Sequence, residues 1–479
     1  MDDHRHRQPV QRSFPKKVVE DAFAPVDIAS LVFFRIAFGL LMLWEVLRNF
    51  SHHQIALYWI EPRFLFNYYG FSWVHPWPGS GLYVHWAVLG VLALFIAAGF
   101  LYRLSAALFF LGYAYTFLLD EALYVNHTYL ICLFSFLLIF VPAHRAFSID
   151  ARLNPRLPSK TIPTWSLWLF RTQMGIVYFF SGVAKVSPDW LRGEPLRTWL
   201  ADITDFPIVG RFLREDWAAY SLSYAALLFD LCVVPFLLWR RTRAPAFCAA
   251  LVFHLLNARF FYIGIFPWLA IAATTLFLSP GWPRRALSIL RVQLSSRSVA
   301  DERSPSGQNR FAVLPFVAIY MAIQLLVPLR PFFYRGGIEW ICAEHRYCWR
   351  MMMLSQWVST NFYVTDPNSG ETFHVIPGDY LDRWQAQRMR WRPDMLVQFA
   401  HYLAKEMPRS GPKPLRVEAR VSVSLNGRKP QLFIDQNVDL AAEERPFGRP
   451  RWLLEIHEPL PPRGERFTAY FPKNIFDEN

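Results

Sequence analysis

The sequence contains few charged residues, which make up only 18% of its 479 positions, whereas 53% are hydrophobic and 17% aromatic. This composition excludes an ordinary soluble globular protein and is typical of a membrane protein. The sequence also lacks a Gly-rich phosphate loop, a GxSxG elbow and an HExxH motif. Hydride-transfer, phosphoryl-transfer and protease chemistry therefore have no support from the sequence.

Cysteine is scarce, with five residues in the whole chain and no CxxC or zinc-site spacing, so no metal is predicted. Cys132, Cys232 and Cys248 lie in apolar runs and are expected to be small core residues. Cys342 and Cys348 lie close together after the apolar part of the chain. A disulfide between them is possible if that side of the membrane is oxidising.

The formal net charge is +13, yet the sequence contains no nucleic-acid-binding motif, and its Lys and Arg residues are scattered over loops. In a membrane protein, this excess is typical of the bias that keeps positive charge on the cytoplasmic side. We therefore expect the lipid bilayer, and no nucleic acid, as a partner. Residues 1–28 form a basic arm without a signal peptide, so the first apolar segment is expected to act as its own insertion signal.

Apolar segments of helical length fill residues 29–330, which predicts an all-α transmembrane domain with about eight to nine spans. Several segments are shorter than the ~20 residues of an ideal span. The short links at Leu101/Leu104 and Phe260/Ile263 predict helical hairpins. The nine segments are Leu31–Leu47, Leu82–Leu101, Leu104–Leu119, Thr128–Val141, Trp165–Val186, Tyr220–Trp239, Ala246–Phe260, Ile263–Leu278 and Phe311–Leu329.

Nine spans would place the two ends of the chain on opposite sides of the membrane. Lys and Arg are concentrated in the N-terminal arm and in the loops after the even-numbered segments, whereas the loop after the third segment has none. The positive-inside rule then predicts a multi-pass protein with a cytoplasmic N-terminus. The C-terminal domain and the loop after the third segment would both be extracytoplasmic, that is, periplasmic or lumenal.

Residues 331–479 have the composition of a small soluble domain. Phe362–Thr365 and Thr372–Ile376 alternate around a turn sequence and predict a hairpin, and Leu381–Met407 has helical spacing. Leu415–Leu425 alternates strictly and is followed by Asn-Gly, a strong hairpin signal, with Gln431–Phe433 as the return strand. We predict a β-rich domain, either α+β or a β-sandwich, with one substantial helix.

The stretch LLDEALYVNHTYL, residues 118–130, joins two apolar segments and carries four polar groups. Asp120, Glu121, Asn126 and His127 at a membrane boundary are costly unless they are solvated, paired or used. The stretch is therefore either a hydrated loop, which is the simpler interpretation, or a functional site.

Polar residues inside membrane segments are candidates for function by default. Arg35 and Glu45 lie on nearly one face of the first segment and could form a structural pair. Asp230 lies in the middle of the sixth segment and could pair with an Arg to hold the helices together.

Two further groups of polar residues lie in the fifth and seventh segments. His254 and Asn257 share a helix face and could line a cavity, although a lone His is more often a satisfied interior residue. Arg171 and Gln173 lie near the start of the fifth segment, and Lys185 at its end could extend to the membrane surface.

Several passages, in the same order along nearly the whole chain, resemble the vitamin K-dependent γ-glutamyl carboxylase family with its HTTM-like membrane domain. They are LLDEALYVNHTYL, FRTQMGIVYFFSGVAKVSPDWLRG, FHLLNARFFYIGIF followed by SPGWPRR, LRPFFYRGGIEWICAEHRYCWRMMM, WRPDMLVQFAHYLAKEM and FIDQNVDL.

The resemblance implies a lyase with coupled monooxygenase and epoxidase activity. In the family, a base deprotonates reduced vitamin K, and O₂ then gives a strongly basic intermediate that removes the γ-proton of a glutamate. The carbanion takes CO₂, and the quinone leaves as its epoxide. Reduced vitamin K would be the cofactor, O₂ and CO₂ the co-substrates, and a glutamate-containing protein the partner.

The chain departs from the family at the base, because Glu121 replaces the Lys that follows Leu-Asp. A hydroquinone hydroxyl ionises near pH ~10, as a Lys does, whereas the reference pKa of Glu is ~4.3. An exposed Glu is thus too weak a base by roughly six pKa units. Only a desolvated pocket, which can raise the pKa of a Glu to ~8–9, would make Glu121 a useful base.

The resemblance implies roles for several residues of these passages. Glu121 would be the altered base, and the resemblance implies that Asn126 and His127 hydrogen-bond the quinol beside Asp120. His254 and Asn257 would polarise the substrate or the intermediate. Three basic or amide side chains of the fifth segment would bind a carboxylate or CO₂: Arg171, Gln173 and Lys185.

Three functions are compatible with these observations. The first is a quinol-dependent γ-glutamyl carboxylase of the membrane. The second is a quinol-binding enzyme of the same architecture with altered chemistry, because of Glu121. The third is a transporter or receptor whose intramembrane charges line a path, although no matching pair of broken half-helices supports it.

Overall fold

A computed structural model describes residues 14–202, 210–261, 263–290, 310–333, 340 and 346–462. Each of the nine predicted apolar segments lies in a helical part of this structure. The helices up to residue 329 are α1 Phe14–Phe23, α2 Ala29–Ser51, α3 Gly81–Ala98, α4 Tyr102–Leu119, α5 Asn126–Phe140, α6 Ile149–Leu153, α7 Thr164–Ala184, α8 Pro188–Leu191, α9 Leu196–Asp202, α10 Gly210–Leu213, α11 Asp216–Leu238, α12 Arg243–Phe260, α13 Phe266–Thr274, α14 Trp282–Ile289 and α15 Arg310–Leu329.

Among the described residues, five helices are long and apolar enough to cross a membrane: α2, α3, α4, α11 and Ala312–Phe333. The apolar helices α5 and Phe266–Phe277 are shorter. With 15 residues, α5 would rise about 22 Å, less than the ~30 Å of a bilayer core. The structure thus gives a multi-span α-helical domain but does not confirm the predicted eight to nine spans.

The predicted hairpin at Leu101/Leu104 is present as the link between α3 and α4. The α3 helix ends at Gly99, whose φ of 65° is left-handed, and an added Cβ there would collide with Ser148. The Asp150 carboxylate accepts hydrogen bonds from the amides of Leu101 and Tyr102 at 2.8 and 2.9 Å. Only glycine gives this sharp reversal without strain.

The prediction that Arg35 pairs with Glu45 is wrong. The buried Arg35 guanidinium donates to the carbonyls of Ala97 and Ala143, at 3.3 and 2.9 Å. Glu45 instead accepts from Arg48 at 2.7 Å. Carbonyls at the end of a helix lack intrahelical partners, and Arg35 satisfies one of them at the end of α3 and a second carbonyl in the turn after α5.

The C-terminal domain contains a four-stranded antiparallel sheet in the order β4-β3-β5-β6. A two-stranded ribbon, β1 Pro25–Asp27 with β2 Thr161–Pro163, precedes it in the chain. The strands are β3 Gln356–Thr365, β4 Thr372–Val375, β5 Arg416–Leu425 and β6 Gln431–Leu432. Both predicted hairpins are present, because Phe362 pairs with Val375 and Ser422 with Leu432. A helix packs on β5, so the domain is α+β.

The predicted helix over Leu381–Met407 is divided into α16 Arg383–Met389 and α17 Pro393–Glu406. The break lies at Arg392, which is extended with φ −116° and ψ 108°. Proline has no amide hydrogen and disfavours a helical conformation at the residue before it, so Pro393 begins a new helix.

Hydrogen bonds over large sequence distances join the two domains. Gln398 Oε1 accepts from the amide of Asn67 at 2.9 Å, and Gln385 Nε2 donates to the carbonyl of Phe64 at 2.7 Å. The loop after α2 therefore lies against the C-terminal domain. The possible Cys342–Cys348 disulfide lies outside the described residues, since Cys342 is not among them; Cys348 is buried.

Candidate functional site

The stretch after α4 folds into a short 3-10 helix, Glu121–Leu123, before α5 begins at Asn126. Asp120 begins this turn because its Oδ1 accepts from the amide of Ala122 at 2.7 Å. The amide of Glu121 donates to the carbonyl of Phe66 at 2.7 Å. The Asp120 side chain and the backbone of Glu121 are therefore held in place, the latter by the loop after α2.

Asp120 is completely buried, so this stretch is not a hydrated loop. Its Oδ2 accepts from Gln385 Nε2 at 3.0 Å, across the boundary between the two domains. Burial raises the pKa of the Asp120 carboxyl to about 8, although the hydrogen bonds from Ala122 and Gln385 oppose the shift. Desolvation thus favours a protonated Asp120 at neutral pH.

Glu121 is also buried, with 4% of its surface exposed, as a base at this position would require. Its carboxylate forms ion pairs with Arg346 and, at 2.6 Å, with Arg445. Arg346 donates in turn to Asp394 at 2.6 Å. Burial raises the pKa of Glu121 to about 7, against the opposing charges of Arg346 and Arg445. Both Glu121 oxygens are therefore engaged by guanidinium groups.

The ion-pair cluster around Glu121 is completed by Arg346, Arg445 and Asp394, none of which was predicted from the sequence. Arg346 lies in EHRYCWR, inside a passage that resembles the family, but its spacing gave no sign of a role. Arg445 lies in a polar loop without any pattern. A partner separated by 324 positions, as Arg445 is from Glu121, cannot be found from local spacing.

Aromatic rings surround the same stretch. Tyr124 and Tyr129 pack edge-on against Tyr347, at centroid distances of 5.1 and 4.9 Å, and Tyr129 also stacks on Trp349 at 5.3 Å. The Tyr124 hydroxyl donates to Asn126 Oδ1 at 3.1 Å. Asn126 is thus bound to the protein itself, and the aromatic cluster lies beside the ion pairs.

His127 is half-buried and faces Gly264, where an added Cβ would lie 3.7 Å from its Nε2 and 3.8 Å from Arg48. Within the described part of the chain, its ring forms no hydrogen bond. The ring nitrogens of His127 are therefore available to a ligand hydroxyl.

His254 is buried, and its Nε2 lies 2.7 Å from the hydroxyl of Tyr178, which also lies 3.2 Å from Thr274 Oγ1. Its Nδ1 has no partner among the described residues. Asn257 does not join this group, because its Nδ2 donates to the carbonyl of Phe253 within α12, at 2.8 Å. The shared helix face predicted for His254 and Asn257 therefore does not produce one site.

The structure does not bring Arg171, Gln173 and Lys185 together. Arg171 donates to the carbonyl of Leu276 at 2.8 Å, and Gln173 Oε1 accepts from Tyr320 at 2.7 Å. Lys185 is buried and does not extend to the membrane surface. A single site for a carboxylate or CO₂ made by these three residues is not formed.

Lys185 instead forms an ion pair with Asp230, with 2.8 Å between Nζ and Oδ2. Ser181 Oγ donates to the same Oδ2, also at 2.8 Å. The expectation that an Arg would pair with Asp230 is corrected, because the cation comes from Lys185 at the end of α7. No group of His, Cys, Asp and Glu within the described residues could hold a metal ion.

Comparison with known families gives two matches that together cover most of the chain. The HTTM domain matches residues 23–282, and the lumenal domain of vitamin K-dependent gamma-carboxylase matches residues 309–459. No solved structure matches the chain. The second match begins just before α15, so this apolar helix lies in the part of the chain that matches the lumenal domain. The chain therefore belongs to the vitamin K-dependent γ-carboxylase family, with an HTTM membrane domain followed by the family's lumenal domain.

Proposed function

We propose that the protein is a membrane enzyme that acts on a lipid-soluble hydroquinone beside residues 120–127, where its two domains meet. Its chemistry departs from the family's γ-carboxylation of glutamate at the first step, because Glu121 does not act as the base. The observation that carries this proposal is the pair of ionic contacts from Glu121 to Arg346 and Arg445.

A base that deprotonates a hydroquinone must offer an unoccupied lone pair and a pKa near that of a phenol. Burial moves the pKa of Glu121 upward but only to about 7, still roughly three units below the ~10 of a phenol. Its oxygens also form ion pairs with two guanidiniums, which stabilise the ionised form. Glu121 is thus better suited to hold Arg346 and Arg445 in place than to remove a proton.

The residues of this region fit a quinol ring. His127 has ring nitrogens available for a hydroxyl, and Tyr124, Tyr129 and Trp349 offer aromatic surface. A bound hydroquinone would supply the reducing equivalents that react with O₂. The protein would bind and orient the ring, and the C-terminal domain would exclude water from the Glu121 side.

Retained carboxylation is the second candidate function, because His254, which the resemblance assigns to polarising the substrate or the intermediate, is buried. His254 Nδ1 lacks a hydrogen-bond partner among the described residues, while Nε2 contacts Tyr178. A glutamate-containing protein would then be the substrate. The N-terminus would be cytoplasmic, with the peptide arriving from the extracytoplasmic side.

The test uses the full-length protein in lipid nanodiscs with reduced vitamin K, O₂, radiolabelled CO₂ and a glutamyl peptide. We expect the wild-type protein to consume the quinol without fixing CO₂. In the double variant Glu121→Lys/Arg346→Gln, the new Lys could pair with Asp394 in place of Arg346. We expect this variant to regain some CO₂ fixation.

The single variant Glu121→Lys is the matched control, because its Lys would lie between two arginines and should be unstable. Stoichiometric epoxide and carboxylated peptide from the wild-type protein would reject the altered chemistry and favour retained carboxylation. If no variant binds or oxidises the quinol, both enzymatic functions fail.

A further inference from the structure

Arg392 is a buried cation that forms no ion pair with any residue in the described ranges of the chain. It precedes Pro393 at the start of α17, and 5% of its surface is exposed. Its Nε and Nη1 are buried and have no hydrogen-bond partner in the part of the chain that the structure describes. A buried guanidinium in this state is costly unless an anion accompanies it.

The neighbouring acidic groups are already committed to other cations. Glu121 binds Arg346 and Arg445, and Asp394 binds Arg346 at 2.6 Å with Arg445 at 3.6 Å. The cluster thus holds three guanidiniums and two carboxylates, which leaves one positive charge uncompensated. Asp394 Oδ1 is also buried and has no hydrogen-bond partner among the described residues.

We propose that Arg392 and Arg445 form a binding site for one small carboxylate or bicarbonate ion at the junction of the two domains. Arg445 also has a buried Nε without a partner among the described residues. Two guanidinium groups offer the paired N–H donors that match a planar oxyanion with two oxygens.

The charges select a monoanion. The cluster has a surplus of a single positive charge, and the carboxylates of Glu121 and Asp394 would repel a second negative charge on the ligand. Sulfate should therefore bind poorly. The ligand would enter at Arg445, the most exposed member of the cluster with 19% of its side chain exposed and its guanidinium over the ring of Tyr69.

This inference is independent of the proposed function, since it concerns binding alone and its test needs no turnover. The full-length protein in detergent is heated in sodium chloride that is replaced stepwise, at constant ionic strength, by sodium acetate, sodium bicarbonate or sodium sulfate. We expect a saturable rise in melting temperature of about 2 °C with acetate or bicarbonate, and none with sulfate. A response to bicarbonate alone would identify bicarbonate, whereas a response to acetate would identify the carboxylate group in general.

The variant Arg392→Gln should abolish the rise, and Arg445→Gln serves the same purpose if Arg392→Gln does not fold. Arg390→Gln is the matched control, because Arg390 is also buried in part but donates to the carbonyl of Val358 at 3.2 Å. It should lower the basal melting temperature and keep the response. The proposal fails if the wild type does not respond, if sulfate acts equally, or if the response survives loss of either cluster arginine.

Discussion

Arg428 of the C-terminal domain binds Asp189 of the membrane domain through two parallel hydrogen bonds. Nη1 lies 2.6 Å from Oδ2, and Nη2 lies 2.8 Å from Oδ1. Asn426 adds a third contact to the same carboxylate at 2.7 Å. This ion pair lies at a different part of the domain boundary from Glu121 and its arginines, so two separate charged contacts fix the orientation of the domains.

The first prediction concerns this contact. Arg428→Lys keeps the charge but loses the planar guanidinium with its paired donors. We expect the free energy of domain docking to weaken by about 1–3 kcal/mol. The measurement is the melting temperature in detergent together with limited proteolysis of the C-terminal domain. Arg416→Lys, in the exposed pair with Glu418, is the control and should change little. Equal effects of the two variants would contradict the docking role of Arg428.

The second prediction concerns the buried Lys185–Asp230 pair. Lys185→Met should destabilise the protein by about 3–5 kcal/mol, because the Asp230 carboxylate stays buried after it loses the Lys185 ammonium. Lys185→Met/Asp230→Leu should regain most of this loss. Thermal unfolding measures both, with Lys405→Met on the exposed face of α17 as the control. If the double variant is no more stable than the single one, the pair is not the origin of the effect.

The third prediction is a pH dependence that arises from Asp120. Its folded-state pKa of about 8 lies above the ordinary 3.8, so the folded protein holds a proton that the unfolded chain releases above about pH 4. The stability that this proton confers is therefore complete below pH 4 and is lost as the pH rises towards 8. Relative to the wild type, Asp120→Asn should gain stability over that range. Melting temperatures of both proteins at pH 5, 6, 7 and 8 would show this gain. The prediction is refuted if the two melting temperatures change with pH by the same amount.

The fourth prediction concerns His127. If its ring accepts or donates a hydrogen bond to a quinol hydroxyl, His127→Leu should weaken quinol binding about tenfold, equivalent to about 1.4 kcal/mol. Quenching of tryptophan fluorescence by a quinone analogue measures the affinity. His374→Leu is the control, since His374 is exposed and bonds Asn361 on the sheet surface. Unchanged affinity in His127→Leu would remove this residue from the site.

The helices were predictable because each long apolar run can satisfy its backbone only as a helix in a membrane. Alternation and the Asn-Gly dipeptide likewise predicted both hairpins of the sheet. The break at Pro393 shows that helical spacing alone is insufficient when proline interrupts it. The number of spans depends on how helices such as α5 sit in a bilayer, which apolar length alone does not determine.

The site was predictable only in part. Asp120 and Glu121 were found because two adjacent carboxylates between apolar segments are costly. Their partners Gln385, Arg346 and Arg445 come from distant polar segments, where Arg and Gln are ordinary surface residues. The pairing expected for Arg35 with Glu45 failed because Arg35 binds backbone carbonyls that are distant in sequence, at the end of α3 and in the turn after α5.

The hairpin tip at Asn426 has a consequence for protein engineering. Surface turns are the usual places for inserting tags, but Asn426, with φ 51°, is buried and accepts from the amide of Ser355 while donating to Asp189. An epitope or fluorescent domain inserted after Asn426 would separate the two halves of the molecule. The exposed turn at Ser369–Gly370 is better suited to such a fusion, because neither residue contributes a side chain to the boundary between the domains.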